Sequence, residues 1–165
     1  MNDFSKKASE VCEFLKNLGI DFYAVSHSPA FTIEECKEIE KLIGGEICKN
    51  LFLQTSSGKS KFLLMLKGDK KFVTKDISKK LNSSRLSFGS EDAMRQILNT
   101  EPGSLSITSL IFDKDKAVML AIDKDVLENE YICCHPSDNS ATLKIKTDDI
   151  LNKFIPALNI TAQII

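Results

Sequence analysis

One seven-residue stretch, Ile47-Cys48-Lys49-Asn50-Leu51-Phe52-Leu53, restricts the fold more than any other part of the chain. Successive side chains of a strand point to opposite faces, so Ile47, Lys49, Leu51 and Leu53 share one face and Cys48, Asn50 and Phe52 the other. The stretch therefore reads as a buried strand with a lysine on an apolar face. An ammonium group there is costly unless it reaches water, an anion or a ligand. A lysine near a strand start can also extend its stem to solvent, so alternation alone leaves both readings open. Thr55-Ser56-Ser57-Gly58-Lys59 has turn composition and residues 62–66 read as the returning strand, which makes a hairpin.

Helices and strands alternate around that hairpin. Phe4, Ala8, Val11, Cys12, Leu15 and Leu18 repeat at helical spacing, with Gly19 just past the end. Residues 22–25 read as a short strand. Thr32-Ile33-Glu34-Glu35 has capping-box spacing and opens a second helix that stops near Gly44-Gly45. A basic helix over residues 75–81, a short strand at 85–88 and a helix capped by Ser90 and ending by Asn99 follow. Residues 100–109 read as a loop, 117–122 as a strand, Asp123 as the cap of a short helix, and 131–134 and 141–145 as strands. Thr147-Asp148-Asp149 opens the last helix, Pro156 disturbs its end, and residues 160–165 form a terminal strand. Strand pairs interleaved with helices point to a single α+β domain over residues 1–165, not to a doubly wound parallel sheet.

Composition narrows the setting. With 42% apolar and 27% charged residues the chain is globular in character. The N-terminal residues lack the apolar core of a signal peptide and no apolar run approaches membrane-spanning length, so no membrane partner and a cytoplasmic location are expected. Five cysteines without a Cys-x-x-Cys pair fit a reduced compartment. Net charge is −1, yet residues 59–85 carry a local +7 and the remainder −8. That asymmetry is what a locally docked nucleic acid requires, and it is equally what a solvated basic surface looks like.

Most familiar chemistries lack their residues. Cys133-Cys134-His135 holds the right atoms for a metal, but neighbours on a strand diverge, so no metal site is expected. No phosphate-binding or dinucleotide loop is present, and no cofactor is implied. Only His27 and His135 could serve as bases in a nucleophilic triad, and no nucleophile elbow accompanies either. Cys48 is separated from Lys49 by strand alternation and reads as structural.

Several segments together resemble one family. They are Cys48-Lys49-Asn50-Leu51-Phe52-Leu53, Lys67-Gly68-Asp69-Lys70, Arg85-Leu86-Ser87-Phe88-Gly89-Ser90-Glu91, Pro102-Gly103-Ser104-Leu105-Ser106, Ala121-Ile122-Asp123 and His135-Pro136-Ser137-Asp138-Asn139-Ser140-Ala141-Thr142. In order and across nearly the whole chain, they resemble the YbaK/ProX family of trans-editing aminoacyl-tRNA deacylases, related to the insertion domain of bacterial prolyl-tRNA synthetase. The resemblance implies a curved mixed β-sheet with flanking helices. It also implies hydrolysis of mischarged proline tRNA, with Ala-tRNA(Pro) as the substrate of the ProX branch. Deacylation of a cysteinyl or seryl ester, and a non-catalytic tRNA-binding or regulatory module, are the alternatives. The partner implied is the acceptor end of proline tRNA, with prolyl-tRNA synthetase or an elongation factor beyond it.

By the same resemblance Lys49 anchors the terminal adenosine phosphate or the ester region, and Asn50 helps hold the aminoacyl end. The loop starting at Gly103 and Ser104 brings backbone N–H groups toward the ester oxygen. His135 borders the side-chain pocket, a role it shares at this stage with that of a satisfied turn histidine, and Asn139 and Thr142 shape the pocket wall. Water attacks the ester with help from the tRNA ribose hydroxyl. Two departures stand out: Ile107 replaces the family loop proline, which predicts a more mobile loop or a different amide at the ester, and Cys134 stands where a bulkier aromatic residue is common.

Overall fold

The computed structural model describes residues 3–165. Its centre is the hairpin of β2 (Lys49–Thr55) and β3 (Lys61–Leu66), antiparallel, with Lys49 opposite Leu66 and Asn50 opposite Met65. Leu63, Leu64, Met65 and Leu66 are all fully buried, because β3 is covered on both faces. To one side β4 (Leu86–Phe88) pairs antiparallel with β2. On the other, β5 (Val118–Ile122) and β8 (Ala162–Ile164) run parallel to β3. The mixed sheet thus has the order β4-β2-β3-β5-β8.

A second, antiparallel sheet, β1-β7-β6, is built from β1 (Phe22–Ser26), β6 (Tyr131–Cys134) and β7 (Ala141–Lys146). The backbones of the two sheets join where Ile47 bridges Cys133 and the Cys48 amide donates to the Cys133 carbonyl at 3.0 Å. The residues just before Lys49 therefore join the sheets. Neither sheet is closed, and the architecture is the α+β arrangement expected.

Helices cover what the sheets expose. The first is α1 (Lys6–Asn17), the second α2 (Ile33–Ile43), whose capping box joins Thr32 and Glu35 as the sequence predicts. Next come α3 (Thr74–Lys80) and α4 (Glu91–Leu98), the latter capped by Ser90. Phe52, Leu63, Met65, Leu120 and Ile122 face a large core shared with α1 and α4. Leu53, Phe62, Leu64 and Leu66 face a smaller one closed by Ile77 and Leu81 at α3. The last helical segment runs through α5 (Thr147–Asp149), a π turn at Ile150–Phe154 and α6 (Ile155–Ala157). Pro156 lacks an N–H and would crowd the carbonyl four residues earlier, and the wider π turn accommodates it. The predicted disturbance by Pro156 thus takes the form of a bulge.

The loop over residues 100–109 is shorter than the sequence implies. Ile107–Phe112 is a 3-10 helix capped by Ser106, which accepts from the Thr108 amide while the Ser109 hydroxyl accepts from the Ser106 amide. Ile107 itself is fully buried in the main core. Burial of this side chain and the reciprocal serine caps tie the loop to the core without a proline ring.

Candidate active site

Lys49 opens β2, and its ammonium is tethered within the protein: Nζ donates to the backbone carbonyl of Lys70 at 2.7 Å. That carbonyl is itself held in place. The Lys70 ammonium donates to Asp123 Oδ2 and Asp125 Oδ2, each at 2.7 Å. Asp123 is fully buried, and its second oxygen accepts the Asp125 amide as cap of the 3-10 helix Lys124–Glu128. Donating to Asp123 and then to Asp125 raises the Lys70 pKa, and accepting from Lys70 lowers that of Asp125. A depressed carboxylate contributes stability above its ordinary range, near pH 4, and loses it only as pH falls below; a raised lysine contributes below its ordinary value, near 10, and loses it only above. The clamp on the Lys70 loop therefore persists across the neutral range.

Lys49 also lines a 670 Å³ cavity. Ile47, Cys48, Gly68 and Asp69 form one wall, and Ala30, Phe31, Ile33 and Cys36 the other. At Gly68 a Cβ would stand 2.7 Å from the Ile47 carbonyl oxygen, so this wall closes only with glycine. Phe31 and Ile33, 85% and 71% exposed, form an apolar lip. Cys48 is a structural thiol: burial pushes it up to about 12. The other two cysteines near the sheet junction diverge as alternation requires, with Cys133 sulfur beside Gly45 and Cys134 buried in the main core.

The other residues singled out in the sequence gather around the turn after β6. Thr108 Oγ1 donates to the His135 carbonyl at 2.9 Å, and Thr108 and Ser109 hydroxyls both bond Ser137 Oγ. The segment containing Gly103 and Ser104 is thereby tied to the segment containing His135 and Asn139. Gly103 has φ +86°, a left-handed conformation suited to glycine, with open space where a Cβ would stand. The Ser104 amide is taken by the Glu101 carbonyl, whereas those of Gly103 and Leu105 meet no acceptor among the described residues. Asn139 is half-buried in the turn. Asn50 lies on the face of Cys48 and Phe52, whose core cluster also holds Leu105, Ile107 and Cys134. Its Oδ1 is buried and, among the described residues, is a side-chain atom without a hydrogen-bond partner. Such an acceptor costs stability unless a ligand donor meets it.

His27, read in the sequence only as a possible base, enters this cluster. Its Nε2 lies 2.8 Å from Thr142 Oγ1, its Nδ1 2.9 Å from the Ser28 carbonyl, and its ring 6.1 Å from that of His135. Because the Ser28 carbonyl can only accept, Nδ1 carries the proton in the neutral ring and Nε2 accepts from the Thr142 hydroxyl. The loop from Ser26 to Phe31 thus touches Thr142 at one end and borders the Lys49 cavity at the other. Nothing in the local sequence pairs His27 with a threonine 115 positions away, nor Lys70 with Asp123. In both cases the available signal is a chemically capable side chain at an element end.

His135 donates Nδ1–H to the Ala141 carbonyl at 2.8 Å, which leaves Nε2 as its free acceptor. Burial outweighs that bond and holds its pKa below the ordinary histidine value. In the window between the two values the unfolded chain binds the additional proton, so stability falls as pH drops below about 6.5. We expect thermal melts to show this acid-side loss in the wild type and a smaller slope in His135→Gln, measured between about pH 5 and 7.5. An unchanged slope would contradict a neutral buried ring.

Residues 27–153, opening on His27, match the family model of the aminoacyl-tRNA editing domain. The chain belongs to the aminoacyl-tRNA editing domain family. One similar editing-domain relative is the prolyl-tRNA editing protein ProX of Acetoanaerobium sticklandii, 33% identical over 143 residues that cover 87% of each chain. Another is the prolyl-tRNA synthetase associated domain-containing protein 1 of Mus musculus, 32% identical over 151 residues, 89% of each. A crystal structure described as a candidate trans-editing enzyme for prolyl tRNA synthetase superposes with a TM-score of 0.74 over 97% of this chain and 96% of that one. At 16% identity it speaks for the fold alone. As the family name states, editing domains act on aminoacyl-tRNA. Among the described residues no helix is long and apolar enough to cross a membrane.

Proposed function

We propose that this editing domain is a trans-acting deacylase of mischarged proline tRNA, with Ala-tRNA(Pro) as its substrate. The observation that carries the reading is the Lys49 ammonium, held by the Lys70 carbonyl at the wall of a cavity larger than a small aminoacyl group alone requires. The terminal adenosine and its ester occupy that space, with Lys49 countering the nearby phosphate or the ester oxygen. Asn50 Oδ1, a buried acceptor in need of a donor on the strand face opposite Lys49, is assigned to the aminoacyl end by the family resemblance. The free amides of Gly103 and Leu105 are the donors available to a developing oxyanion.

In the reaction the oxygen of water adds to the ester carbon and the carbonyl electrons move to oxygen. The oxyanion then collapses, the bond to the ribose oxygen breaks, and the leaving oxygen takes a proton passed on from the attacking water, with the neighbouring ribose hydroxyl as relay. No side chain at the site is asked to form a covalent intermediate. Positioning and electrostatics supply the rate. His135, Thr142 and Asn139 bound the aminoacyl pocket, His135 as a neutral ring. Hand-over of the tRNA from prolyl-tRNA synthetase or an elongation factor belongs to the same reading.

Such an activity answers a physical limit. A synthetic site sized for proline excludes the smaller alanine poorly, because a missing methylene is worth only about 1–3 kcal/mol, and a second, smaller pocket removes the error. The test is a panel of proline tRNA charged with alanine, serine, cysteine or proline, incubated with the purified protein. We expect the alanyl ester to be released fastest and the prolyl ester to persist. Preferential release of the cysteinyl or seryl ester would replace the alanine assignment.

A further inference from the structure

The positive charge of residues 59–85 is concentrated around α3 and the short strand after it. Lys71, Lys75, Lys79, Lys80 and Arg85 are all exposed, and none forms an ion pair among the described residues. Elsewhere cations such as Lys41, Arg95 and Lys153 do pair with carboxylates on the same helix. Ile77 and Ser78 turn inward, so the lysines at 75 and 79 are left on the outer side, one turn and ~6 Å apart along the axis. Across a groove of 470 Å³ Arg85 faces the same helix, sharing the lining with Lys75, Thr74 and Ser78. The one carboxylate in α3 is the exposed Asp76.

Two further features give this surface a direction. The segment feeding α3 is the clamped loop whose Gly68 and Asp69 line the Lys49 cavity and whose Lys70 carbonyl receives the Lys49 ammonium. Phe88, three residues after Arg85, is 63% exposed, and its ring packs 5.6 Å from that of Phe72, two residues before α3. Unpaired cations with adjacent aromatic rings, leading toward a cavity that holds another cation, suit a polyanion with stackable groups whose end enters the cavity.

We propose that the α3 face, centred on Lys75, Lys79 and Arg85, docks the sugar-phosphate backbone of the acceptor stem and directs its 3′ end to Lys49. The inference rests on the tRNA-editing reading for the identity of the polyanion. An overall net charge of −1 gives no general attraction for RNA, so the interaction must be local and strongly dependent on salt.

The test compares two triple variants that remove equal charge. One is Lys75→Ala, Lys79→Ala, Arg85→Ala; the other, away from this face, is Lys6→Ala, Lys16→Ala, Lys114→Ala. Binding of a labelled, uncharged acceptor-stem hairpin of proline tRNA is followed by fluorescence anisotropy from about 50 to 200 mM salt, with thermal melts to verify folding. For the α3 variant we expect at least roughly tenfold weaker binding at the low-salt end and a salt slope shallower by about 2–3, close to one for each phosphate no longer neutralised. The control triple retains wild-type binding and slope. If the α3 triple folds poorly, Lys75→Gln with Arg85→Gln alone is expected to flatten the slope by about two-thirds as much.

Equal losses in both triples, or a wild-type slope in the α3 variant, would overturn the docking surface. So would RNA binding that survives while binding to vesicles of anionic phospholipid is lost, which would make the face a lipid surface. Because the hairpin carries no ester, the binding result stands apart from catalysis. A protein that binds it through α3 yet deacylates no aminoacyl-tRNA would refute the editing reading and leave the surface; an active enzyme indifferent to the α3 substitutions would do the reverse.

Discussion

Lys49→Ala is expected to reduce the turnover of Ala-tRNA(Pro) by roughly 10²–10³-fold, the usual effect of removing one preorganised electrostatic group from a catalytic site. The fold is expected to remain, because the substitution removes a single hydrogen bond, to the Lys70 carbonyl, at a cavity wall that water can reach. A change of about 1 kcal/mol or less would move the melting temperature by no more than about 2–4 °C in a chain of this size. Single-turnover deacylation beside a thermal melt separates the two effects. A variant that hydrolyses the ester as fast as the wild type would remove Lys49 from the chemistry. A wild-type protein no faster than buffer would leave a non-catalytic tRNA-binding module.

Asp123→Ala is expected to produce the largest loss of stability among single substitutions near the site. It removes the cap of the 3-10 helix, worth ~1 kcal/mol, and the buried partner of Lys70. Breaking a buried pair costs about 3–5 kcal/mol, but the Lys70 side chain is 33% exposed and keeps Asp125, so the pair contributes well under that here. A total of about 2–3 kcal/mol corresponds to a melting point lowered by roughly 5–10 °C. Asp123→Asn retains an oxygen for the Asp125 amide and is expected to recover the capping share. Activity is expected to fall in both variants even where both are folded, because the loosened Lys70 loop no longer presents its carbonyl to Lys49. Wild-type kcat/KM in folded Asp123→Asn would show that the clamp is structural only.

Local order is largely legible in the chain. The hairpin around Asn50 and Leu64, the Thr32 and Ser90 caps and the divergence of Cys133 from Cys134 follow from period-two alternation and from capping chemistry, which act between residues a few positions apart. The resemblance carried by the ordered segments supplies the family. The anchorage of the loop at Ile107, by burial and by the Ser106 to Ser109 caps, is tertiary and is not legible from the missing ring.

What residues 47–53 decided unaided is that a lysine and an asparagine stand on opposite faces of one buried strand, since side-chain direction is a property of the extended backbone. What each of them meets was decided only by the folded chain. The Lys70 carbonyl for Lys49, the carboxylates of Asp123 and Asp125 for Lys70, and Thr142 for His27 come from elements 21 to 115 positions away. Their encounter depends on sheet pairing and on core burial, which no pattern confined to a short window of sequence contains.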